Sequence, residues 1–401
     1  MKVLEENFQV VHFSTGHAGG AGLAARRLNA ELNMSGVDSS FFAIQRKSYV
    51  PNYNEFSIKR SITRKLVSII LLKLQENFSR QILFSTFSSN AKGYRYFKKF
   101  QNSPRTILHF HNWANLISER NLLRLCGDGV NIVITAHDER IATGGCHYKF
   151  DCEQISCGCT SCPLVSGELQ RRLIRSSRRR KDKFLGENQI SPWIISPSMW
   201  VQNEVRRAGI FHDNKLIFIP NTLGPQWNRG QYVKNNVEGD KKVLIGIASM
   251  STTSFVKAGD VVTKILNSQR IKENQIEFLV LNQIPDQDQF KKFWQEIDCL
   301  LALTRADNSP NVIWEALSLK IPVISVGLGG IPEIGCRDGI FLLAQAEDAP
   351  SFLEDSSDRG AKGFIRNAKF GKSNTAQNIG EIHKNLYLQI LSQDLIGENK
   401  L

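Results

Sequence analysis

Short apolar runs, each long enough for one buried strand, recur along the chain at helix-sized intervals. They lie at 8–14, 106–111, 131–136 and 193–196 in the first half, and at 242–247, 277–281, 299–303 and 322–326 in the second. Apolar residues at helical spacing follow some of these runs, as in 23–32 and 310–319. Strands that alternate with helices predict parallel sheets covered on both faces. The sequence therefore predicts an α/β protein built from two doubly wound lobes.

The chain length agrees with this division, because 401 residues correspond to two or three domains of ordinary size. We place the N-terminal lobe at 1–218 and the C-terminal lobe at 219–375, followed by a separate final segment at 376–401. A polar stretch at 228–241 is predicted to be a linker or loop. A helix is predicted at 379–391 within the final segment.

Charge and composition narrow the class of protein. Lys and Arg number 51 against 38 acidic residues, a net charge of +13, which indicates a polyanionic partner such as nucleic acid, a phosphorylated small molecule or an anionic membrane. Apolar residues at 41% and charged residues at 22% argue against disorder. The longest apolar run, 66–72, is shorter than the ~20 residues of a spanning helix. With no secretory signal evident at 1–7, we expect a cytoplasmic protein.

A glycine-rich turn, 19–22, separates the first strand from the first helix. Backbone N–H groups at the start of a helix favour a bound anion. The alternative is a tight turn that needs the backbone freedom of glycine. Because the G-x-G-x-x-G spacing is missing, this turn alone does not decide between the two.

A more specific pattern lies in the second half, where Asp307 precedes a predicted helix that starts at Ser309 or Pro310. Glu315 then falls about a turn and a half inside that helix. Such a pair of carboxylates can span a polyhydroxylated ligand, with one at the mouth of the site and one deeper. The alternative is an N-cap aspartate and a surface glutamate. A second glycine turn at 327–330 follows the next strand.

The segment from Asp307 to Glu333 resembles the signature of the retaining glycosyltransferases of family four, which have the GT-B fold. Further motifs, in the expected order, resemble a subgroup of colanic-acid type that takes part in bacterial polysaccharide assembly. They are 135–138, 143–148, 195–200 and 219–222. The resemblance implies an interlobe cleft and a final helix that packs back on the first lobe.

In that family the nucleotide-sugar donor lies mainly on the C-terminal lobe. The resemblance implies that Glu315 binds the ribose, Asp307 the transferred sugar and Lys257 the diphosphate. Asp307 is one methylene shorter than the usual glutamate, and the usual arginine is missing from 251–254. Further implied substrate-binding residues flank these acids in the same segment: Asn308, Ser309, Pro310, Asn311, Gly329 and Gly330.

The N-terminal lobe contributes residues to the same implied reaction. By resemblance, His137 is catalytic and lies near the reacting sugar, Asp138 binds substrate beside it, and Gly19 and Gly20 approach the phosphates. His109 and His111 either face the acceptor or have structural roles in the core. The family's mechanism retains the anomeric configuration, with the leaving phosphate helping to deprotonate the acceptor, and needs no catalytic metal or other cofactor.

A loop at 146–162 is rich in cysteine. Cys146, Cys152, Cys159 and Cys162 could supply four thiolates to one structural zinc, and the subgroup carries a similar set. Cys157 is an additional cysteine in the same loop. The alternatives are reduced cysteines that pack in the core and a redox-sensitive loop.

Two basic segments, 59–74 and 171–181, could lie on anionic lipid or could be solvated helix faces. The resemblance favours membrane contact, since many relatives extend lipid-linked sugars at the inner face of the plasma membrane. We therefore expect a nucleotide-sugar donor and a glycan or lipid-linked acceptor, in cell-surface polysaccharide synthesis. The rival hypotheses are an epimerase or a non-catalytic protein of the same fold, and a basic nucleic-acid-binding protein.

Overall fold

The computed structural model describes residues 7–44, 54–58, 66, 70, 94–188, 191–227, 242–249, 254–282, 287–335, 338–370 and 378–398. The chain divides into two compact units. Unit 1 comprises 1–224 together with 378–401, and unit 2 comprises 225–377. The division falls after Gly224, six residues beyond the boundary placed from the sequence at 218.

Unit 1 contains a parallel sheet in the order β3-β2-β1-β4-β5-β6-β7. Its strands are β1 Gln9–Ser14, β2 Asp38–Ile44, β3 Glu55–Ile58, β4 Thr106–Asn112, β5 Asn131–Thr135, β6 Trp193–Ser196 and β7 Leu216–Phe218. Its helices are α1 Gly19–Met34, α2 Tyr94–Lys98, α3 Glu119–Gly127, α4 Glu168–Asn188, α5 Met199–Arg207 and, from the end of the chain, α13 Ile379–Glu398.

Both faces of this sheet are buried, because the strands present apolar side chains in both directions. One face packs against α3 and α5 through a core that includes Phe13, Leu108 and Phe110. The other packs against α1 and α13, where Leu32 and Tyr387 are fully buried. The final helix is thus an integral layer of unit 1.

Unit 2 contains a second parallel sheet in the order β12-β11-β10-β8-β9. Its strands are β8 Val243–Ser249, β9 Ile276–Asn282, β10 Cys299–Ala302, β11 Val323–Val326 and β12 Ile340–Leu343. Its helices are α6 Gly259–Asn267, α7 Gln269–Glu273, α8 Gln287–Glu296, α9 Asn311–Ser318, α10 Ile331–Gly335, α11 Ala349–Glu354 and α12 Ala361–Asn367.

The predicted fold class is confirmed, and each predicted strand is present within a few residues of its expected position. The sequence reading missed four strands, namely β2, β3, β7 and β12. The first helix starts earlier than the predicted range 23–32, because Gly19 and Gly20 already belong to α1. The predicted linker at 228–241 lies outside the described residues.

In the described part of the chain, no helix combines the length and the apolar character needed to cross a bilayer.

Candidate functional site

Lys257 and Asp307 meet at the carboxyl edge of the sheet of unit 2. The Lys257 ammonium donates a hydrogen bond to the Asp307 carboxylate, and the two form an ion pair. Lys257 follows β8 and Asp307 follows β10, which are neighbouring strands. The chain passes from β8 to β9 on one side and then to β10 on the other, so the order of the strands reverses here. Open α/β sheets bind their ligands at such a reversal.

Arg305, which the sequence analysis missed, fastens the loop after β8 to the loop after β10. Its backbone N–H donates to the Val256 carbonyl oxygen at 2.7 Å, and its guanidinium donates to the Phe255 carbonyl oxygen at 2.9 Å. The guanidinium also pairs with Asp260 at 2.8 Å and with Glu347 at 2.6 Å. Two carboxylates neutralise this cation, so Arg305 holds the backbone in place rather than replacing the arginine missing from 251–254.

The helix after Asp307 begins at Asn311, with Pro310 in the capping position. Glu315 therefore lies in the second turn of α9, slightly nearer the helix start than expected, and is only 1% exposed. It is a buried carboxylate, which excludes the surface glutamate considered from the sequence. Asn308, Ser309 and Asn311 are also buried, and the Ser309 hydroxyl accepts a hydrogen bond from the Trp314 indole N–H at 3.0 Å.

The glycine turn after β11 closes on the backbone of Asp307. The Gly330 N–H donates to the Asp307 carbonyl oxygen at 3.0 Å. Gly329 has a φ of +64°, and a Cβ atom there would lie 2.0 Å from the same oxygen. Glycine is thus required at 329 by both backbone conformation and space. The loops after β8 and β11 thus both contact Asp307, the one at its carboxylate and the other at its backbone.

In unit 1, the predicted residues lie along the carboxyl edge of the first sheet. Gly19 and Gly20 follow β1, whereas His137 follows β5, with β4 between the two strands. Gly19 has a φ of +81°, and a Cβ atom at Gly20 would meet nothing within 4 Å. Gly20 therefore leaves open space at the first turn of α1, where backbone N–H groups point outward.

Asp138 organises the loop that follows β5. Its carboxylate accepts hydrogen bonds from the Arg140 backbone N–H at 2.9 Å and from the His147 ring at 2.6 Å. Burial alone would raise the pKa of Asp138, but the charge and hydrogen bond of His147, together with Arg140, lower it. Asp138 is therefore ionised, and its carboxylate is engaged within the loop.

His109 and His111 are buried in the core of unit 1. From the sequence, either an acceptor-facing role or a structural role was possible for them. His109 is fully buried and bonds to Tyr387 at 2.8 Å and to Thr135 at 2.7 Å. His111 is 4% exposed and contacts His137 at 3.1 Å between ring nitrogens. No sequence pattern indicated a role for Tyr387, because its partner His109 lies 278 residues away.

The cysteine-rich loop packs as a buried layer against α4. Cys146, Cys159 and Cys162 form an apolar cluster with Val165 and Ile174, and Cys152 is also buried. Burial raises the pKa of the Cys146, Cys152 and Cys162 thiols. Cys157 is exposed.

A metal ion needs ligand atoms that come close together. Among the described residues, the group whose ligand atoms all lie within 4.8 Å of one another is His12, His109 and His111, and the cysteine thiols form no such group. Both ring nitrogens of His109 are already hydrogen-bonded. The thiols have the chemistry for zinc, but holding the ion would require the loop to contract.

The second basic segment does not form one cationic surface, contrary to its appearance in the sequence. Arg178 and Lys181 are buried and donate to backbone carbonyl oxygens, Arg178 to Ala142 and Ile155 at 2.8 Å each and Lys181 to Arg140 at 2.8 Å. Four other arginines of the segment, with Lys183 just beyond it, line a shallow groove on the outer face of α4: Arg172, Arg175, Arg179 and Arg180.

The first basic segment, 59–74, lies outside the described residues except for Leu66 and Ile70. These two are helical and 55% and 58% exposed, respectively.

Comparison with solved structures identifies the fold. The chain matches TarM with a TM-score of 0.54 and 10% identity, over 96% of this chain and 99% of that one. It matches sucrose-phosphate synthase from Thermosynechococcus elongatus with a TM-score of 0.52 and 12% identity, over 98% and 99%. The catalytic domain of starch synthase IV from Arabidopsis thaliana, bound to ADP and acarbose, matches with a TM-score of 0.51 and 11% identity, over 96% of this chain and 100% of that one.

The chain has the GT-B fold.

Sequence comparison finds a relative that is named as a glycosyl transferase. The chain is 24% identical over 272 residues to "Putative colanic acid biosynthesis glycosyl transferase WcaC" of Escherichia coli (strain K12). The match covers 58% of this chain and 62% of that protein, so the similarity spans less than two thirds of the relative. No protein-family model matches the chain.

Proposed function

We propose that this GT-B protein is a retaining glycosyltransferase that moves a sugar from a nucleotide-sugar donor to a glycan or lipid-linked acceptor. The observation that carries the proposal is the Lys257–Asp307 pair at the strand reversal of unit 2, with the buried Glu315 in the second turn of the helix that follows Asp307. The name of the colanic acid relative and the nucleotide bound to the starch synthase domain support the same chemistry.

The donor roles follow from the chemistry of these side chains. The Glu315 carboxylate accepts hydrogen bonds from the vicinal hydroxyls of the ribose, and Asp307 accepts them from the sugar. The Lys257 ammonium stabilises the negative charge that develops on the leaving diphosphate. Because Asp307 holds Lys257 in position before the donor arrives, the cation needs little reorganisation when the charge appears.

The reaction we propose breaks the bond between the anomeric carbon and the diphosphate oxygen. A bond from the acceptor oxygen forms on the same face of the sugar, and the acceptor proton moves to the departing phosphate oxygen. We further propose that His137 contacts the sugar and that the backbone at Gly20, where a Cβ atom would meet nothing within 4 Å, contacts the phosphates. We propose that this step needs no catalytic metal.

The acceptor is proposed to be presented at an anionic membrane surface, which would place the protein at the inner face of the plasma membrane. The outer face of α4 combines Leu169, which is 68% exposed, with the basic groove that runs from Arg172 to Lys183. Residues 169, 172, 176 and 183 share one side of the helix. Exposed Leu66 and Ile70 supply further apolar contact.

Vesicle flotation tests this surface. The protein should float with phosphatidylcholine vesicles that contain phosphatidylglycerol and stay behind with pure phosphatidylcholine. Arg172→Glu with Arg179→Glu should weaken flotation at least tenfold, since each cation contributes about 1 kcal/mol. The matched control is Lys264→Glu with Lys272→Glu, which makes the same charge change on unit 2. Equal loss in both double variants would mean that net charge, not this groove, governs binding.

We also propose that Cys146, Cys152, Cys159 and Cys162 bind a structural zinc ion, which would deprotonate the thiols and draw the loop together. Metal analysis of the purified protein should find close to one equivalent of zinc. Cys159→Ser should remove it, whereas Cys157→Ser at the exposed position should not. Zinc-free protein with an unchanged melting temperature would instead favour cysteines that serve only packing or redox roles.

The central experiment is a transfer assay with labelled nucleotide-sugars and lipid-linked saccharide acceptors. We expect transfer by the wild type with the anomeric configuration retained. Glu315→Gln should abolish it, and the exposed control Glu273→Gln should not. An epimerised donor without transfer would favour the epimerase hypothesis, and salt-dependent retention on DNA without nucleotide binding would favour a nucleic-acid-binding protein.

A further inference from the structure

Three imidazole rings form a continuous hydrogen-bonded row across the sheet of unit 1. His12 on β1 bonds through Nδ1 to Nε2 of His111 on β4 at 3.1 Å. His111 bonds through Nδ1 to Nε2 of His137, just after β5, also at 3.1 Å. The row crosses three neighbouring strands on the face covered by α1 and α13. It therefore connects the buried core to a residue at the carboxyl edge of the sheet.

Each ring in the row is neutral at physiological pH. Burial lowers the pKa of His12 to about 3 and that of His137 to about 4, and it lowers the pKa of His111 well below its ordinary value. A neutral imidazole carries one proton and one lone pair. Each hydrogen bond in the row joins an Nδ1 atom to an Nε2 atom and needs one N–H and one lone pair. The three rings must therefore all be protonated at Nδ1 or all at Nε2. The tautomer of His12 thereby sets that of His137.

The surroundings of His12, at the inner end of the row, determine which nitrogen donates in each hydrogen bond. His12 Nε2 is fully buried and has no hydrogen-bond partner in the described part of the chain. A proton on this atom would be a buried donor without an acceptor, and such orphaned donors are rarer in proteins than under-satisfied acceptors. The proton therefore lies on Nδ1 of His12, which donates to His111. His111 in turn donates from Nδ1 to Nε2 of His137.

We propose that His12 and His111 are positioning residues that hold His137 as the Nδ1–H tautomer. His137 then offers a hydrogen-bond donor to an oxygen of the donor sugar or diphosphate, and its one lone pair is occupied by His111. In this arrangement His137 cannot act as a general base. That consequence rests on the proposed function, whereas the tautomer itself does not.

The outer nitrogen of His137, Nδ1, is the atom of the row that remains for such a contact. His137 is half-buried, and among the described residues its Nδ1 has no hydrogen-bond partner, in contrast to its Nε2. His109, which neighbours the row, is anchored separately by Tyr387 and Thr135. The row is therefore packed against α13 at its inner side and ends at His137.

Long-range ¹H–¹⁵N spectra of the full chain with ¹⁵N-labelled histidine test the tautomer directly. The signals of His137 are identified by their loss in His137→Asn. We expect a neutral ring protonated at Nδ1 between pH 6 and 8 (about one pH unit on each side of neutrality). A ring protonated at Nε2, a charged ring, or signals that change when a zinc chelator is added would overturn the proposal.

Variants of His12 test the coupling along the row. His12→Asn keeps an N–H donor near the position of Nδ1 and should preserve the Nδ1–H form of His137. His12→Leu removes the donor, so the His137 ring should become a mixture of both tautomers. Identical His137 signals in the two variants would contradict the coupling. The wild-type spectrum decides the tautomer even where a variant does not fold.

Activity separates this inference from the proposed function. The Asn amide nitrogen lies near the position of histidine Nδ1, whereas the Gln amide nitrogen lies near that of Nε2. Because the proposed donor is Nδ1, His137→Asn should retain a kcat/KM about tenfold higher than that of His137→Gln, which is the ratio expected for one ordinary hydrogen bond. The reverse order would overturn the donor role. Nδ1–H spectra with no transfer at all would overturn only the proposed function.

Discussion

Gly329 and Asp307 are in backbone contact so close that no side chain fits between them. A Cβ atom at Gly329 would lie 2.0 Å from the Asp307 carbonyl oxygen, and the φ of Gly329 is +64°. The carboxylate of Asp307 meanwhile pairs with Lys257. The position of this carboxylate therefore depends on a glycine 22 residues further along the chain.

Gly329→Ala should displace the loop that carries Asp307. The added methyl group must move the backbone and adopt an unfavourable conformation, at a cost of about 1–3 kcal/mol in the free energy of unfolding. We expect weaker nucleotide-sugar binding by calorimetry. Gly327→Ala is the matched control, because a Cβ atom there would meet only the Leu343 carbonyl oxygen at 3.6 Å. Equal effects of the two substitutions would contradict the special role of Gly329.

Lys257→Met should lower kcat by about 10²–10³-fold, the usual cost of losing one group that stabilises developing negative charge. The exposed Lys264 on α6 provides the control, and Lys264→Met should leave kcat unchanged. Steady-state kinetics with a saturating donor measure both. If Lys257→Met raises only KM, the lysine contributes to donor binding rather than to the departure of the diphosphate.

Arg178 should be essential to the stability of the cysteine-rich loop. Its guanidinium donates to the carbonyl oxygens of Ala142, Ile155 and Ala208, and its Nε donates to Asp182 at 2.7 Å. Arg178→Met leaves buried acceptors without donors, so the free energy of unfolding should fall by about 3 kcal/mol or more. The adjacent Arg179→Met, at an exposed position, should change it by less than about 0.5 kcal/mol. Urea denaturation of both variants gives the comparison.

Buried histidines should make unit 1 sensitive to acid. Burial lowers the pKa of His383 to about 4, beside the neutral rings of His12 and His109. The unfolded chain takes up the proton first as the pH falls below about 6.5, so stability is lost between that pH and about 4. Each such histidine lowers the free energy of unfolding by up to about 2 kcal/mol between pH 7 and pH 5.

His383→Asn tests this dependence, because the amide can still donate to the Ile379 carbonyl oxygen that His383 Nδ1 contacts at 2.8 Å. The loss of stability from pH 7 to pH 5 should become smaller by about one proton's contribution. His212→Asn, at an exposed site, should leave the pH dependence unchanged. An unaltered pH slope in His383→Asn would show that this histidine is not protonated on unfolding.

The sequence predicted most of the fold because strand and helix patterns are local. The apolar runs predicted the central strands. In contrast, β2 mixes buried with partly exposed residues and β3 has two exposed residues between two buried ones, so both lacked a continuous apolar signal. The strand order was not predictable, since it depends on contacts between distant residues. The final helix was located, although its partners Glu31 and His109 lie in the first third of the chain.

Those residues of the candidate site that belong to one sequence motif could be picked out from the sequence. Asp307, Glu315 and Gly329 lie within a short stretch and were all singled out. Arg305 was missed because its partners Asp260 and Glu347 are more than 40 residues away in either direction. His12 was missed because a single histidine in a buried strand has no sequence signature. Arg178 was read as a surface charge because a run of arginines does not reveal which of them points inward.

A crystal structure of the full chain with a bound nucleoside diphosphate, taken in turn from UDP, GDP and ADP, tests the central claim most directly. The account predicts ribose hydroxyls within hydrogen-bonding distance of the Glu315 carboxylate, and the diphosphate beside the Lys257 ammonium. A nucleotide bound away from Lys257, Asp307 and Glu315 would contradict it.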